Sequence, residues 1–484
     1  MKKATIMGLM ALALTSCSKD FSDAFMAPSI SGIESAESSG DKFDDFKENQ
    51  FINTKDQPAS TFSVDADGAS FAVVRNYLNN GWAPSKGAVR IEEFLNYFPF
   101  DYAEPQSGRK LAINAEVGEC PWDDSHKLVR LGLKGKSLSA SERPLANYVF
   151  LVDVSGSMSS QNKLPLLKSG LISMLPELSP NDRISIVTYS GKVSKVLEST
   201  PVKEAGTIKK AIEKLTANGS TNGGEAIKMA YEEALSNYIP GGNNRIILGT
   251  DGDFNVGVTS TDELLEMVQN YCDKGIYLTA LGFGMGNLND SMMEKVSNEG
   301  NGCYFFIDSE DEMIKVFVQE KDKFISVVND CKVQVTFDEK KVKSYRLIGY
   351  ENRVMSSEDF ENDKKDAGEI GAGQTITALY EIVPEDGYSG GDTVAKFDVK
   401  YKNVLGQNSE SLSMTVEGLA EKSENLSFAA GVAAYGMVLR DSKFKGSASL
   451  EMSKQLVESA LSFDPFGYRK IFLKQIDLTK KVME

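Results

Sequence analysis

One histidine, His126, serves a chain of 484 residues. That excludes a two- or three-histidine metal centre within one chain. Any Ser-His-Asp chemistry would have to use the single imidazole. Basic charge is also short: 53 Lys and Arg stand against 69 Asp and Glu, a net charge of −16. Broad nucleic-acid binding needs a basic footprint that this composition lacks. After the first residues, no apolar run reaches the 18 or more residues of a membrane helix. The five cysteines show no metal-knuckle spacing. What is present is globular: 41% hydrophobic and 25% charged, with 41 Gly and 14 Pro. This argues against a disordered, collagenous or coiled-coil protein, and the length leaves room for roughly three domains.

The N-terminus reads MKKATIMGLMALALTSC. Lys2 and Lys3 precede an apolar stretch, Ala4 to Leu14, too short to span a bilayer as a mature helix. Leu14-Thr15-Ser16-Cys17 resembles the lipobox of bacterial lipoproteins. The resemblance implies a signal peptide over 1–16 and a lipidated Cys17. It implies a cell-envelope location with an acyl anchor, at the periplasmic face or the outer-membrane surface. Loss of Lys2 and Lys3 would take the mature charge to −18. Residues 17–57 are rich in Ser, Asp, Glu and Lys and are expected to form a flexible tether.

Residues 58–142 form an N-terminal extension, helical over 61–98 and then β-like. Phe71, Val74, Tyr77 and Leu78 sit at helical spacing. Asp65-x-Asp67 lacks the glycine and glutamate positions of a calcium loop and reads as a cap or turn. The runs LAINAEVGECPW and HKLVRLGLKGK follow. After an α/β stretch, 143–322, four further β-like runs (VQVTF, TITALYEIV, TVAKFDVKY, SLSMTVEG) fall within 323–420. These are expected to pair with the strands of 111–136 in a small β-sandwich that receives the α/β unit as an insert. Residues 421–484 are helical again, with a stripe of Phe428, Val432, Tyr435, Val438 and Leu439, and Asp464-Pro465 opening the last helix.

Chemistry concentrates in the α/β stretch. Asn147 to Asp153 is a continuous apolar run, as in a buried parallel strand, that breaks into Val154-Ser155-Gly156-Ser157. The D-x-S-x-S spacing sets one carboxylate and two hydroxyls on a tight turn. A Gly-rich loop, Asn218-Gly219-Ser220-Thr221-Asn222-Gly223-Gly224, opens a helix, and RIILGTDG is another buried strand ending in Asp251. Together these resemble a von Willebrand factor type A domain with its metal-ion-dependent adhesion site. The matching positions are Asp153, Ser155, Ser157, Thr221 and Asp251. STFSVDADGASF, VRIEEFLNYF, ECPWDDSH, STNGGEAI, TDGDFNVGV, GYENR and KKDAGEIGAG look like a bacterial lipoprotein family that joins this domain to an N-terminal extension and a C-terminal domain.

The fold this implies is α/β: a doubly wound, mostly parallel sheet, inserted in or flanked by a β-sandwich, with helical segments at both ends. Ligands of such sheets bind outside the C-terminal strand ends at the switch point. The resemblance implies Mg²⁺ (or Mn²⁺ or Ca²⁺) on the Ser155, Ser157 and Thr221 hydroxyls. Asp153 and Asp251 would act largely through water. A protein partner's Asp or Glu carboxylate would complete the shell. The expectation is a non-catalytic protein with no nucleic-acid partner and no small-molecule substrate. The alternative is an envelope scaffold with a structural metal that binds through its C-terminal region. Weaker signals are set aside. Ser389 in G-x-S-x-G lies between β runs, where no nucleophile elbow forms. Gly282, Gly284 and Gly286 read as a rim loop rather than a dinucleotide fingerprint, and His126 beside Asp123 and Asp124 reads as a turn.

Overall fold

Continuous apolar strands and alternating ones sort into two kinds of sheet, as their patterns require. The computed structural model describes residues 40–220, 224–252, 261–404, 406, 408–418 and 423–483. The apolar strands build one six-stranded sheet in the order Tyr304–Ile307, Ile276–Phe283, Asn243–Thr250, Ala146–Asp153, Arg183–Tyr189, Val193–Pro201. All neighbours are parallel except the last pair. Ala146–Asp153 has the next strand in sequence on one side and Asn243–Thr250 on the other, so the strand order reverses at its C-terminal end. Every residue of Ala146–Asp153 and of Asn243–Thr250 is buried. This is the doubly wound sheet expected.

The alternating strands form two antiparallel sheets. One runs Ile52–Asn53, Val342–Ile348, Thr375–Pro384, Lys127–Gly135, Leu111–Glu119. The other runs Val354–Met355, Ala59–Ser63, Ser326–Phe337, Thr393–Asn403, Ser409–Glu417, with Gly368–Gly371 also beside Ser326–Phe337. Val129, Leu131, Leu133, Ile376 and Tyr380 of the first share a core with Phe62, Val333, Val335, Phe397 and Val399 of the second. The α/β unit enters after Gly135 and leaves before Ser326, an insert in the sandwich. One segment departs from its expected structure: Thr61–Ser63, read as helical, belongs to the strand Ala59–Ser63. Its inward residues are held by pairing with Ser326–Phe337, a contact 270 residues away that local periodicity cannot register.

Helices Ala69–Asn79 and Ile91–Tyr97 pack with Glu424–Leu439, Leu450–Glu458 and Tyr468–Met483 around a shared core. Phe71 lies 5.5 Å from Phe94 and 5.7 Å from Phe472, and Phe98 lies 5.0 Å from Phe428. The small residues of AAGVAAYG serve this core: a Cβ on Gly436 would lie 2.8 Å from Ile91 Cγ1. The C-terminal small-residue face is therefore filled from within the chain. Asp464 caps the last helix by accepting from the Arg469 and Lys470 amides at 3.0 and 3.2 Å.

A second correction concerns the tether. Residues 40–57 lie along the body. Asp41 Oδ1 accepts from the amides of Gly286 and Leu288, each at 2.8 Å, and Lys42 forms a β-bridge with Asn289. Phe46 stacks under the Arg440 guanidinium, and Phe51 packs on Phe444. With Phe43, whose ring lies 6.4 Å from that of Tyr77, three phenylalanines spaced through a polar stretch supply the apolar anchors that its composition obscured. Residues 17–39 of the expected tether lie outside the described residues.

Where the extension, the insert and the sandwich meet, the packing is charged. Arg90 reaches Asp290 at 2.6 Å and Glu93; Arg353 reaches Asp65 at 3.0 Å. Burial, with Glu351 and Asp65 adding, pushes the Glu92 carboxyl up to about 8, and burial against the pull of Arg90 brings Glu93 to about 7. A carboxyl raised on folding holds its proton more tightly in the native state, so stability is greatest below the unfolded value and is lost as pH rises through the folded one. Denaturant unfolding between pH 5 and pH 8.5 should therefore show falling stability. Glu92→Gln should flatten that fall by up to one proton, about 1.4 kcal/mol per pH unit. An unchanged slope would show that Glu92 is ionised throughout.

Candidate metal-ion site

The two aspartates arrive at the rim because their strands are neighbours at the switch point. Asp153 ends its strand fully buried, and Asp251 follows Thr250, also fully buried. Asp153 Oδ1 accepts the Ser155 amide at 2.8 Å, which bends the chain and turns the following hydroxyls together. Ser155 Oγ and Ser157 Oγ are 2.9 Å apart. Ser155 is buried and Ser157 is exposed, so the pair opens toward solvent. Thr250 Oγ1 donates to Asp153 Oδ2 at 3.2 Å and ties one aspartate to the strand that carries the other. Burial lifts the Asp153 carboxyl above the ordinary range. The nearby Asp251 charge adds to this, and the hydrogen bonds from Ser155 oppose it.

Thr221 lies outside the described residues. The chain leading to it is held against the same loop: the Asn218 amide donates to Val154 O at 2.7 Å, and the Gly156 amide donates to Gly219 O at 3.1 Å.

Lys163 was missed in the sequence. It directly precedes helix Leu164–Met174, and its Nζ donates to Asp251 Oδ2 at 2.8 Å. Its stem crosses Gly284, where a Cβ would stand 2.2 Å from Lys163 Cε and where φ is +74°. A glycine is needed there both for the backbone and for the lysine's path. The glycines at 284 and 286 thus belong to a loop at the rim, as read, whereas Gly282 lies within strand Ile276–Phe283, paired with Thr250 and Phe306. Asp251 Oδ1 has no hydrogen-bond partner among the described residues. A buried carboxylate oxygen left without a donor is costly unless something positive or protic meets it. The donor set of carboxylate and hydroxyl oxygens is the kind a hard divalent cation takes.

Other singled-out residues have ordinary roles. His126 Nδ1 lies 2.6 Å from Glu381 Oε1, with its ring against Phe51. Ser389 sits in a turn closed by Asp392, between two strands. Cys120, Cys272, Cys303 and Cys331 are buried free thiols. Asp67 donates its amide to Asp65 Oδ1, the turn expected of that pair.

Family profiles match in three consecutive stretches. That described as von Willebrand factor covers 37–130, that for the von Willebrand factor type A domain covers 147–320, and that described as uncharacterized protein YfbK, C-terminal, covers 322–482. Uncharacterized protein YfbK of Escherichia coli (strain K12) is 37% identical over 469 residues, spanning 92% of this chain and 82% of that protein. The chain belongs to the YfbK family of von Willebrand factor type A proteins. Other proteins are similar over shorter spans of the chain. Inter-alpha-trypsin inhibitor heavy chain H3 of Homo sapiens is 32% identical over 167 residues, 32% of this chain and 18% of that one. A solved structure titled von Willebrand factor type A from Catenulispora acidiphila is 14% identical with a TM-score of 0.44, covering 78% of this chain and 91% of that one.

Replacing Lys163 by Met leaves Asp251 buried without its cation. The expected loss is about 3–5 kcal/mol, measured by denaturant unfolding in chelator. A loss under about 1 kcal/mol would show that Asp251 is not held as half of a charge pair.

Proposed function

We propose that this protein is a cell-envelope lipoprotein that grips a protein partner through a divalent cation on the rim of its type A domain. Ser155, Ser157 and Thr221 would offer hydroxyls, and Asp153 and Asp251 would balance the charge. The cation would be Mg²⁺, with Mn²⁺ or Ca²⁺ able to take the same oxygens. When bound, it would supply an electron-poor centre able to accept a carboxylate oxygen from outside the chain. The observation that carries this reading is the pair of hydroxyls, 2.9 Å apart and open to solvent, beside two buried aspartates.

Charge supports an acidic partner. Among the described side chains at the rim, Asp153, Asp251 and Lys163 sum to −1, and a divalent cation would bring the site to +1. The role is one of binding rather than catalysis. The one histidine is engaged with Glu381, so no Ser-His pair is available to it among the residues singled out. A C-terminal binding face is disfavoured because the small-residue surface there is already buried against helix Ile91–Tyr97. Anchoring through Cys17 rests on Leu14-Thr15-Ser16-Cys17 and the basic, apolar stretch before it.

Pull-down from an envelope extract should recover a partner with wild type in Mg²⁺. Recovery should fall at least tenfold in chelator or with Asp153→Ala, while the variant keeps its circular dichroism. Equal recovery in all conditions would overturn the rim as the binding site. For the anchor, labelled fatty acid should be incorporated by wild type and lost on Cys17→Ser; equal labelling would refute lipidation at that residue.

A further inference from the structure

The motif KKDAGEIGAG takes no part in the rim, yet it carries two of three carboxylates gathered at the other end of the insert. Asp330 lies where strand Ser326–Phe337 slips register between Asn329 and Lys332, and its φ is +51°. A bulge of this kind re-aims a side chain out of the ladder's alternation. Here it brings Asp330 to Asp366 and Glu369, so that one carboxylate oxygen from each residue lies within 4.8 Å of the others. Oxygens sharing one Ca²⁺ at about 2.4 Å can be no further apart than about 4.8 Å. Glu369 is 6% exposed, and its Oε1 has no hydrogen-bond partner among the described residues. Asp366 is exposed and leaves the cluster open to solvent.

The charge count points the same way. Lys402 pairs with Asp330 at 2.6 Å, the one ion pair the three acids make among the described residues. Three carboxylates, when all are ionised, and one ammonium leave −2. The cluster of Asp65, Glu93 and Glu294 is a useful contrast, because Arg353 and Arg90 already sit on its carboxylates. No guanidinium fills the Asp330 cluster in that way.

We propose that Asp330, Asp366 and Glu369 form a second divalent-cation site, of the calcium type, at the base of the α/β insert. Three carboxylates supply part of the six to eight oxygens that Ca²⁺ takes, and water reaches the rest through the exposed side. The site lies on a seam: Asn329 Nδ2, next to Asp330, donates to the Tyr277 hydroxyl at 2.9 Å. Tyr277 is the second residue of strand Ile276–Phe283, whose other end faces the rim. An ion here pins the bulge to segment 366–369 where the sandwich supports the insert.

Equilibrium dialysis of the full chain with radioactive Ca²⁺, after stripping with chelator, tests this. Asp366→Asn, at an exposed position, should bind one Ca²⁺ fewer per chain than wild type. Asp153→Ala, which alters only the rim, should keep the Ca²⁺ that Asp366→Asn loses, and Ca²⁺ should still raise its melting temperature. Adding Asp366→Asn to Asp153→Ala should abolish both signals. Equal Ca²⁺ stoichiometry in wild type and Asp366→Asn would overturn the proposal, as would a wild type that binds none. Either result leaves the reading of the rim as a Mg²⁺ site untouched, since that is judged by the pull-down in Mg²⁺ with Asp153→Ala.

Discussion

Arg90 and Arg353 tie the type A domain to the rest of the chain at the helix that follows the rim loop. Helix Asp290–Glu299 of the insert is gripped from both sides. Arg90 of the extension holds Asp290, and Arg353 of the sandwich donates to Asn298 at 2.8 Å and lies 3.9 Å from Glu294. A guanidinium stays charged and matches carboxylates through a fixed fork of donors, so each is satisfied in one orientation only. A seam of this kind adds less net stability than an apolar one, because both charges must be desolvated. What it contributes is geometry. The helix so held begins directly after the loop Gly284–Asn289, and that loop touches Lys163, Gly252 and the strap residue Asp41. The arrangement of the rim is thereby referred back to two arginines outside the type A domain.

Much of this was legible in sequence because the responsible forces are local or compositional. A strand buried on both faces must be apolar throughout, and the residue ending it must turn polar, so Asp153 and Asp251 announced themselves as strand ends. The sandwich strands Thr375–Pro384 and Thr393–Asn403 were legible by alternation. Val342–Ile348 was not: its run VKSYRLI buries Arg346, which is neutralised by Glu381 at 2.7 Å. A buried charge breaks the hydrophobic pattern while its partner lies 35 residues away. Lys163 escaped for the same reason. A lysine before a helix reads as solvated surface, and only the fold shows that its ammonium ends on a buried aspartate. The strap over 40–57 has the composition of a tether, and its attachment depends on aromatic anchors and backbone amides that composition does not weigh.

The excess acidity of the chain and its expected preference for an acidic partner are reconciled by distance. At physiological ionic strength, charges separated by more than about 8 Å of solvent are largely screened. The −16 of the whole chain is therefore felt at the rim only through its nearest members. Among the described site residues those are two aspartates, one of them already answered by Lys163, with buried hydroxyl and amide donors around the other. Lys163 makes the difference. Without it a divalent cation would leave the site neutral and bring no net attraction for an anion. With it the same cation leaves one positive charge in a partly desolvated setting, where a carboxylate gains more than it would in water. On the proposed reading, the lysine that holds Asp251 in place would also set the sign of the surface that a partner would meet.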